Sequence, residues 1–178
     1  MKNILICGPP GVGKTTLIKR ILEKLNLKAG GFYTEEIKES GNRVGFKIIS
    51  LDNYKGILAH INIKDSRRVG RYGVNINDLE NIGVKSLEQA LKNDDLIIID
   101  EIGKMEVFSE EFKEKVLDCL NSKKIVLATI SMVGDKFISN IKRRDDIILF
   151  KVTKENRNKL IKIISSLILE KSFREITL

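Results

Sequence analysis

Two stretches near the start of the chain have different hydrophobic patterns. Residues 2–7 become apolar from Ile4 onward and end at a Gly-Pro-Pro-Gly turn, which is typical of a buried parallel strand. Residues 14–25 then have apolar side chains three and four positions apart, the spacing of a helix with one buried face. That face is formed by Leu17, Ile18, Ile21, Leu22 and Leu25. The pattern predicts a strand, a tight turn and an amphipathic helix.

The next part of the chain has strand-like patterns in three segments that are separated by turn-forming sequences. These segments are residues 31–38, 44–51 and 56–63. The connecting sequences, Ser40-Gly41-Asn42 and Asp52-Asn53, contain the residue types that tight turns favour. We therefore predict an antiparallel hairpin or meander inserted into the remaining fold.

A loop and a helix are predicted next. Residues 64–75 are polar and contain glycine, which indicates a loop. A helix is expected to be capped by Asn77, since Glu80 stands three positions later as a capping-box partner. Gly83 is a point at which this helix can break in two.

Strands and helices alternate in the second half of the chain. Leu96–Ile99 is an entirely apolar strand that ends at Asp100 and Glu101. A helix capped by Ser109 is expected next, with its buried face formed by Phe112, Val116, Cys119 and Leu120. It is followed by a strand at 124–130, a helix at 136–142 and a strand at 147–152. The last predicted element is a helix that is capped by Thr153 and reaches about Lys171.

This alternation at both ends of the chain predicts the fold class. Parallel βαβ units give an α/β fold, with helices on both faces of the sheet and the hairpin insert at one edge. The chain contains no recognisable linker, internal repeat or low-complexity tract. Residues 1–178 are therefore predicted to form a single domain.

The turn after the first strand matches a phosphate-binding pattern. Residues 8–15, Gly-Pro-Pro-Gly-Val-Gly-Lys-Thr, fit G-x-x-x-x-G-K-[ST], the Walker A motif. Its glycines let backbone N–H groups surround a phosphate, and the following helix adds its positive end. Lys14 is expected to reach the β- and γ-phosphates, as a binding and catalytic residue, and the Thr15 hydroxyl to ligate Mg²⁺. The predicted nucleotide-binding residues here are Gly8, Pro9, Pro10, Gly11, Val12, Gly13, Lys14, Thr15 and Thr16.

The strand at 96–99 supplies an acidic pair, in the manner of a Walker B motif. Asp100 emerges at the carboxyl end of a buried strand, where open α/β sheets bind ligands, and is expected to hold Mg²⁺ opposite Thr15. Strand alternation points Glu101 away from Asp100, toward a water that attacks the γ-phosphate, so Glu101 is the predicted catalytic base. The nucleotide-binding residues predicted in this segment are Leu96, Ile97, Ile98, Ile99, Asp100, Glu101, Ile102 and Gly103.

Several other polar residues are weaker candidates, each with an ordinary structural alternative. Thr129 ends a strand and is placed to sense the γ-phosphate, whereas Lys104 and Glu106 are placed to contact substrate or each other. Residues 153–157 occupy the position of a base-contacting loop, although helix capping also explains Thr153. The arginines considered for stabilising a transferring phosphate are Arg67, Arg68, Arg71, Arg143, Arg144 and Arg157.

Residues 100–103 also spell D-x-x-G, a switch pattern of GTPases. A GTPase should carry an Asn-Lys-x-Asp sequence after a later strand to recognise guanine. The matching place holds Thr-Lys-Glu-Asn at 153–156, and Asn158-Lys159 is followed by Leu160 and Ile161 without an aspartate. A guanine-specific switch is therefore disfavoured.

Composition limits the partners and the location. The chain has 178 residues, with 32 Lys and Arg against 24 Asp and Glu, a net charge of +8. These charges are spread out without regular aromatic neighbours, so a nucleic-acid partner stays open but is not favoured.

No segment is long and apolar enough to span a membrane, and the run at residues 4–7 is too short for a signal peptide. Two cysteines and one histidine form no recognisable disulfide or metal-binding pattern, so we expect a reduced, cytoplasmic protein with Cys7 in its core. The oligomeric state is open, and a monomer is compatible with the sequence.

Residues 100–106, Asp-Glu-Ile-Gly-Lys-Met-Glu, resemble the signature of the cancer-related and thermophile nucleoside-triphosphatase family of P-loop proteins. Residues 31–37, 70–75 and 155–157 also resemble segments of that family, in its order, so the resemblance covers nearly the full chain. It implies a three-layer P-loop NTPase fold with a RecA-like, mostly parallel sheet. It also implies Mg²⁺-dependent hydrolysis of ATP, GTP, CTP and UTP to the diphosphate and phosphate, with broad tolerance of the base.

Two other function classes share the phosphate-binding loop. A nucleotide or small-molecule kinase would bind its acceptor near residues 31–63 and would turn over faster with that acceptor than with water. A nucleic-acid-dependent NTPase would be stimulated by RNA or DNA with a steep dependence on salt. Glu101 and the family resemblance favour the hydrolase over both.

Overall fold

The computed structural model describes residues 3–176, and these residues contain a single β-sheet flanked by helices. Its strands are β1 (Asn3–Cys7), β2 (Ala29–Glu39), β3 (Asn42–Ser50), β4 (Lys55–His60), β5 (Arg68–Val69), β6 (Tyr72–Val74), β7 (Leu96–Ile102), β8 (Ile125–Ile130) and β9 (Ile147–Lys151). The α-helices of this part of the chain are α1 (Lys14–Leu22), α2 (Ile76–Asp78), α3 (Lys85–Asn93), α4 (Glu110–Asn121), α5 (Lys136–Lys142) and α6 (Arg157–Ile176). The strand order within these residues is β5-β6-β4-β3-β2-β7-β8-β1-β9.

The sheet has a parallel half and an antiparallel half that meet within one strand. Strands β9, β1, β8, β7 and β2 pair in parallel, and the start of β2, Ala29–Phe32, pairs with β7. The remainder of β2, from Phe32 to Glu39, pairs antiparallel with β3, and β4, β6 and β5 continue that half. The predicted α/β fold with an antiparallel insert at one edge is confirmed.

Alternate residues of β1 point to opposite faces of the sheet and enter two separate cores, as the period of a strand requires. Ile4 and Ile6 pack in the core that α1 and α6 cover. Leu5 and Cys7 pack in the other core, which contains buried residues of α3, α4 and α5. Helices therefore cover both faces of the parallel half, as predicted, and the carboxyl ends of its strands are left for a site.

The insert is larger than predicted, because residues 64–75 are not a plain loop. They contain β5 and β6, and β6 pairs with β4 at Ala59 and His60. Two strands of two and three residues are too short to produce a periodic pattern in the sequence. They form because long-range pairing buries Tyr72 and Val74.

The helix after β6 also begins and continues differently from the prediction. Asn75, rather than Asn77, is its N-cap, since the Asn75 side chain accepts a hydrogen bond from the backbone N–H of Asp78. Gly83 does not break the helix, because residues 79–84 form a π-helical segment between α2 and α3. At Gly83 this segment packs against the side chain of Ile48, where a larger residue would collide.

The predicted caps of the two later helices agree with the structure. The Ser109 hydroxyl accepts a hydrogen bond from the N–H of Phe112 at the start of α4. Thr153 and Asn156 bond reciprocally before α6, each side chain accepting from the other residue's N–H. Helix α6 runs past the predicted end to Ile176. Within residues 3–176, no helix combines the length and the apolar character needed to cross a membrane.

Candidate functional site

The phosphate-loop motif lies between the carboxyl end of β1 and the start of α1. Gly11 and Gly13 have φ angles of 75° and 97°, which side chains with a Cβ rarely adopt. Val12 is buried and anchors the loop, whereas Pro9, Pro10 and Gly11 are exposed. The loop therefore presents its backbone at a helix N-terminus, an arrangement suited to an anion.

Lys14 reaches back over this loop from the first turn of α1. Its Nζ donates a hydrogen bond to the carbonyl of Gly8 at 3.1 Å and lies 3.6 Å from Oε2 of Glu101. The ammonium group thus stands between the phosphate loop and the acidic pair of β7. The structure brings together the two residues that the sequence predicts to be catalytic.

Asp100 is held by two threonine hydroxyls. Thr15 donates to its Oδ2 at 2.6 Å, and Thr129, at the end of β8, donates to its Oδ1 at 2.5 Å. Only 1% of Asp100 is exposed, and burial raises its pKa, with the two hydroxyls opposing that rise. Thr129 therefore lies at the site, as the sequence suggests, and it contacts the carboxylate of Asp100 directly.

Thr15 and Asp100 supply a hydroxyl and a carboxylate at one point, which fits a hard divalent cation such as Mg²⁺. Among residues 3–176, no group of three or more His, Cys, Asp or Glu side chains is arranged to hold a metal. Protein sites for Mg²⁺ beside phosphates often use one or two carboxylates and leave the remaining positions to phosphate and water. The pair is therefore suited to a cation that arrives with its substrate.

Glu101 faces different partners from Asp100, although a cis peptide bond joins the two residues. Its side chain is 29% exposed and lies near Lys14. Burial raises the pKa of Glu101, while the charge of Lys14 opposes that rise. A carboxylate with a raised pKa that opens toward a phosphate loop is suited to accept a proton.

The apolar residues of β7 that the sequence predicts to bind nucleotide lie in the core beneath the site. Leu96, Ile97, Ile98, Ile99 and Ile102 are fully buried. Strand β7 pairs on both sides, with β2 and with β8, which fixes the end of the strand from which the acidic pair emerges. Their part in the site is to position Asp100, Glu101 and Gly103.

Glu106 is a buried member of the site whose burial the sequence does not reveal. It lies in a 3-10 turn, Glu106–Phe108, with 5% of its surface exposed. Burial, and then the charge of Glu101, raise the pKa of Glu106 to about 8. Lys104, the neighbouring candidate, is exposed. Met105 and Val107, the apolar neighbours of Glu106 in the chain, also pack against the core.

A pocket of about 530 Å³ adjoins the phosphate loop on the side of β9. It is lined by Pro9, Pro10, Gly11, Val12, Met132, Lys151, Val152, Thr153, Lys154 and Glu155. The predicted base-contacting loop at 153–157 therefore lies beside the phosphate loop. Met132, whose side chain is half exposed, is a lining residue that sequence reasoning missed, because nothing local distinguishes it from a surface methionine.

Arg157 contacts the phosphate loop directly. Its Nη1 lies 3.5 Å from the carbonyl of Val12, and a Cβ on Gly13 would lie 3.4 Å from the same nitrogen. Other arginine candidates have structural partners: Arg67 pairs with Asp65, and Arg144 with Asp146. Arg68 donates to the carbonyls of Ile63 and Arg71, Arg71 donates to the carbonyl of Arg43, and Arg143 is exposed.

Comparison with known proteins gives the family. A family model described as NTPase matches residues 3–165 of the chain. The nucleoside-triphosphatase THEP1 of Thermotoga maritima is 53% identical over 166 residues, covering 93% of this chain and 95% of the relative. The nucleoside-triphosphatase THEP1 of Methanocaldococcus jannaschii is 46% identical over 172 residues, covering 94% and 97% respectively.

Two solved structures share the fold. The crystal structure of THEP1 from the hyperthermophile Aquifex aeolicus has a TM-score of 0.86 and 38% identity, covering 93% of this chain and 98% of that one. The solution structure of a human cancer-related nucleoside triphosphatase has a TM-score of 0.79 and 34% identity, covering 94% and 97%. These likenesses confirm the fold class and the resemblance drawn from residues 100–106. The chain belongs to the nucleoside-triphosphatase family in which these THEP1 proteins are found.

Proposed function

We propose that this protein hydrolyses nucleoside 5′-triphosphates to the diphosphate and phosphate in the presence of Mg²⁺. The observation that carries the proposal is the convergence of Lys14, Thr15, Asp100 and Glu101 at one end of the sheet. The names of its relatives, which are nucleoside-triphosphatases, support the same activity.

The phosphate loop and Lys14 account for binding in this proposal. Backbone N–H groups and the N-terminal end of α1 favour a polyphosphate, and Lys14 neutralises its terminal charge. Thr15 and Asp100 would hold Mg²⁺, which when bound supplies charge neutralisation to the phosphate oxygens. Thr129 fixes the orientation of the Asp100 carboxylate through its hydrogen bond.

Glu101 accounts for hydrolysis rather than binding alone. Its carboxylate orients the attacking water and accepts a proton from it as the water oxygen attacks the γ-phosphorus. The bond between the γ-phosphorus and the bridging oxygen breaks, and the diphosphate leaves. A positioned base contributes roughly 10²- to 10⁴-fold to such a step.

Broad tolerance of the base is the finer part of the proposal, covering ATP, GTP, CTP and UTP. The pocket beside the phosphate loop supports it, because Pro9, Pro10 and Met132 give the pocket an apolar side in addition to any contact that Lys154 or Glu155 makes. The chain also lacks the Asn-Lys-x-Asp sequence that recognises guanine. Contact with the flat face of a base is available to all four nucleotides.

The test is phosphate release from each of the four triphosphates, with Mg²⁺ or with EDTA, for the wild type, Lys14→Ala and Lys24→Ala. Lys24 is exposed in the turn just after α1, so it controls for loss of a lysine close to the same helix. We expect release by the wild type and the Lys24 variant, loss with EDTA, and loss in Lys14→Ala. Wild-type release by Lys14→Ala contradicts the site assignment.

The same assay separates the other two classes. Turnover that rises many-fold with a hydroxyl acceptor, with transfer of the phosphoryl group to it, identifies a kinase. Stimulation by RNA or DNA that disappears as salt is raised identifies a nucleic-acid-dependent enzyme. Neither alternative has a dedicated structural observation in its favour.

The remaining parts of the proposal concern the whole chain. Residues 1–178 are proposed to act as one domain, since one sheet and its helices carry Lys14, Thr15, Asp100 and Glu101. A reducing, cytoplasmic location is supported by Cys7 and Cys119, which are both free and buried.

A further inference from the structure

Three carboxyl groups gather after the buried part of β7, and the proposed mechanism uses two of them. Asp100 and Glu101 have assigned roles, whereas Glu106 is the most deeply buried glutamate in the described part of the chain. None of the salt bridges found among residues 3–176 includes Glu106. A buried carboxyl without a cation is costly unless it is neutral or hydrogen-bonded, so the burial of Glu106 calls for a physical cause.

Glu106 and Glu101 share the space above one residue, Gly103. A Cβ on Gly103 would lie 2.9 Å from Oε2 of Glu106 and 3.0 Å from Oε1 of Glu101. The turn that returns Glu106 to this point is closed by a hydrogen bond from the N–H of Val107 to the carbonyl of Gly103, at 3.1 Å. The absent side chain at Gly103 is what lets both carboxyls approach the same place.

We propose that Glu106 is a positioning residue that holds the side chain of Glu101 in the orientation required to activate water. This inference rests on the proposed function, because it assigns Glu106 to the step that Glu101 performs. Glu106 is not a catalytic residue in this proposal, since it acts through Glu101.

The charges around the two carboxyls explain how Glu106 acts. The charged groups that influence Glu101 are Lys14, Asp100 and Lys142, and those that influence Glu106 are Glu101 and Asp100. Burial, and then the negative charge of Glu101, favour the protonated, neutral form of Glu106. A neutral carboxyl fills the volume beside Glu101 without adding a second negative charge, so it holds Glu101 on the side that faces Lys14 and the phosphate loop.

The first experiment compares Glu106→Ala with Glu106→Gln in single-turnover hydrolysis, steady-state kcat and KM, and nucleotide affinity. Ala removes the positioning group, and we expect kcat to fall roughly 10- to 100-fold, the effect of a displaced reacting group, with KM and affinity within about threefold. Gln keeps the shape of the neutral acid and should recover most of the rate. Glu111→Ala and Glu111→Gln, at an exposed position on α4, are the matched controls.

A second variant approaches the same contact without removing Glu106. Gly103→Ala places a methyl group against both carboxyls, and it should lower kcat by a larger factor than it weakens nucleotide binding. This variant keeps the inference testable if Glu106→Ala does not fold, which far-UV circular dichroism and a thermal melt of each variant will show.

The decisive measurement is a double-mutant cycle with Glu101→Gln. If Glu106 acts through Glu101, Glu106→Ala should slow the wild type strongly but slow the Glu101→Gln protein little. Full additivity overturns the inference, as does unchanged kcat in Glu106→Ala. A Glu106→Gln variant as slow as Ala also overturns it, because the charged form would then be required. If the wild type hydrolyses nucleotides in each of these cases, the proposed function stands; if the wild type releases no phosphate, both fail.

Discussion

The hydroxyl of Thr15 lies 2.6 Å from Oδ2 of Asp100, although 85 positions separate the two residues in the chain. Thr15 lies in the first turn of α1, and Asp100 ends the continuous buried run of β7. The two strands that lead to them, β1 and β7, are not neighbours, since β8 lies between them. The parallel half of the sheet thus places a hydroxyl and a carboxylate at one point by aligning the carboxyl ends of its strands.

Replacing Asp100 with alanine should raise the Mg²⁺ concentration that hydrolysis needs. The variant loses the carboxylate of the proposed cation site but keeps Thr15, Lys14 and the phosphate loop, so nucleotides can still bind. The measurement is a Mg²⁺ titration of phosphate release at a fixed nucleotide concentration. Asp95→Ala is the control, because Asp95 is an exposed residue just before the opposite end of β7. An unchanged titration in Asp100→Ala removes Asp100 from the metal site.

The burial of Glu106 should make folding stability depend on pH. Its pKa is about 8 in the folded protein against an ordinary value of 4.5, so between these values the folded state holds a proton that the unfolded state has lost. The free energy of unfolding should therefore be highest below about pH 4.5, relative to a variant without this group, and should fall as pH rises toward 8. The loss is on the order of 5 kcal/mol at 1.36 kcal/mol per pKa unit.

Urea unfolding of the wild type and Glu106→Gln across this range of pH measures that effect. The Gln variant cannot titrate, so the difference between the two proteins isolates Glu106 from the other carboxyls. We expect the wild type to lose stability against Glu106→Gln as the pH rises. A constant difference would mean that Glu106 keeps an ordinary pKa in the folded protein.

Arg157 should strengthen nucleotide binding without regard to the base. Its guanidinium lies beside Gly13 and the carbonyl of Val12, where it would contact phosphate or stack on the face of a base, and neither contact depends on which base is bound. Arg157→Ala should weaken the binding of ATP, GTP, CTP and UTP by similar factors, roughly 10-fold or more for a lost charged contact. Affinities for all four nucleotides test this, with the exposed Arg143→Ala as control. A loss confined to one nucleotide would show that Arg157 selects bases.

The parts of the site that sequence predicts well are those that depend on neighbouring residues. The phosphate loop, the α1 face and the apolar strand before Asp100 are local patterns, and each begins where its pattern predicts it, although α1 ends at Leu22 and leaves the buried Leu25 outside the helix. The Ser109 and Thr153 caps are local for the same reason.

The features that sequence does not reveal depend on contacts between distant segments. Strands β5 and β6 exist because β6 pairs with β4, and Met132 lines a pocket because β8 ends beside the phosphate loop. Glu106 is buried because a turn returns it over Gly103, whereas in the sequence it is one charged residue among many.

Glu101 separates a hydrolase from a protein that only binds nucleotides, so its replacement is the most informative single change. Asp100 contacts Thr15 and Thr129, whereas Glu101 lies 3.6 Å from Lys14, so the two carboxylates serve different partners. Glu101→Gln keeps the size and much of the hydrogen-bonding capacity of the side chain but cannot accept a proton from water. Nucleotide affinity should change little, because the phosphate loop and Lys14 supply the binding. Single-turnover hydrolysis should fall by roughly 10²-fold or more, the effect of losing a positioned base. The exposed Glu111→Gln variant should hydrolyse at the wild-type rate, and a Glu101→Gln rate within about threefold of that control would place water activation elsewhere in the site.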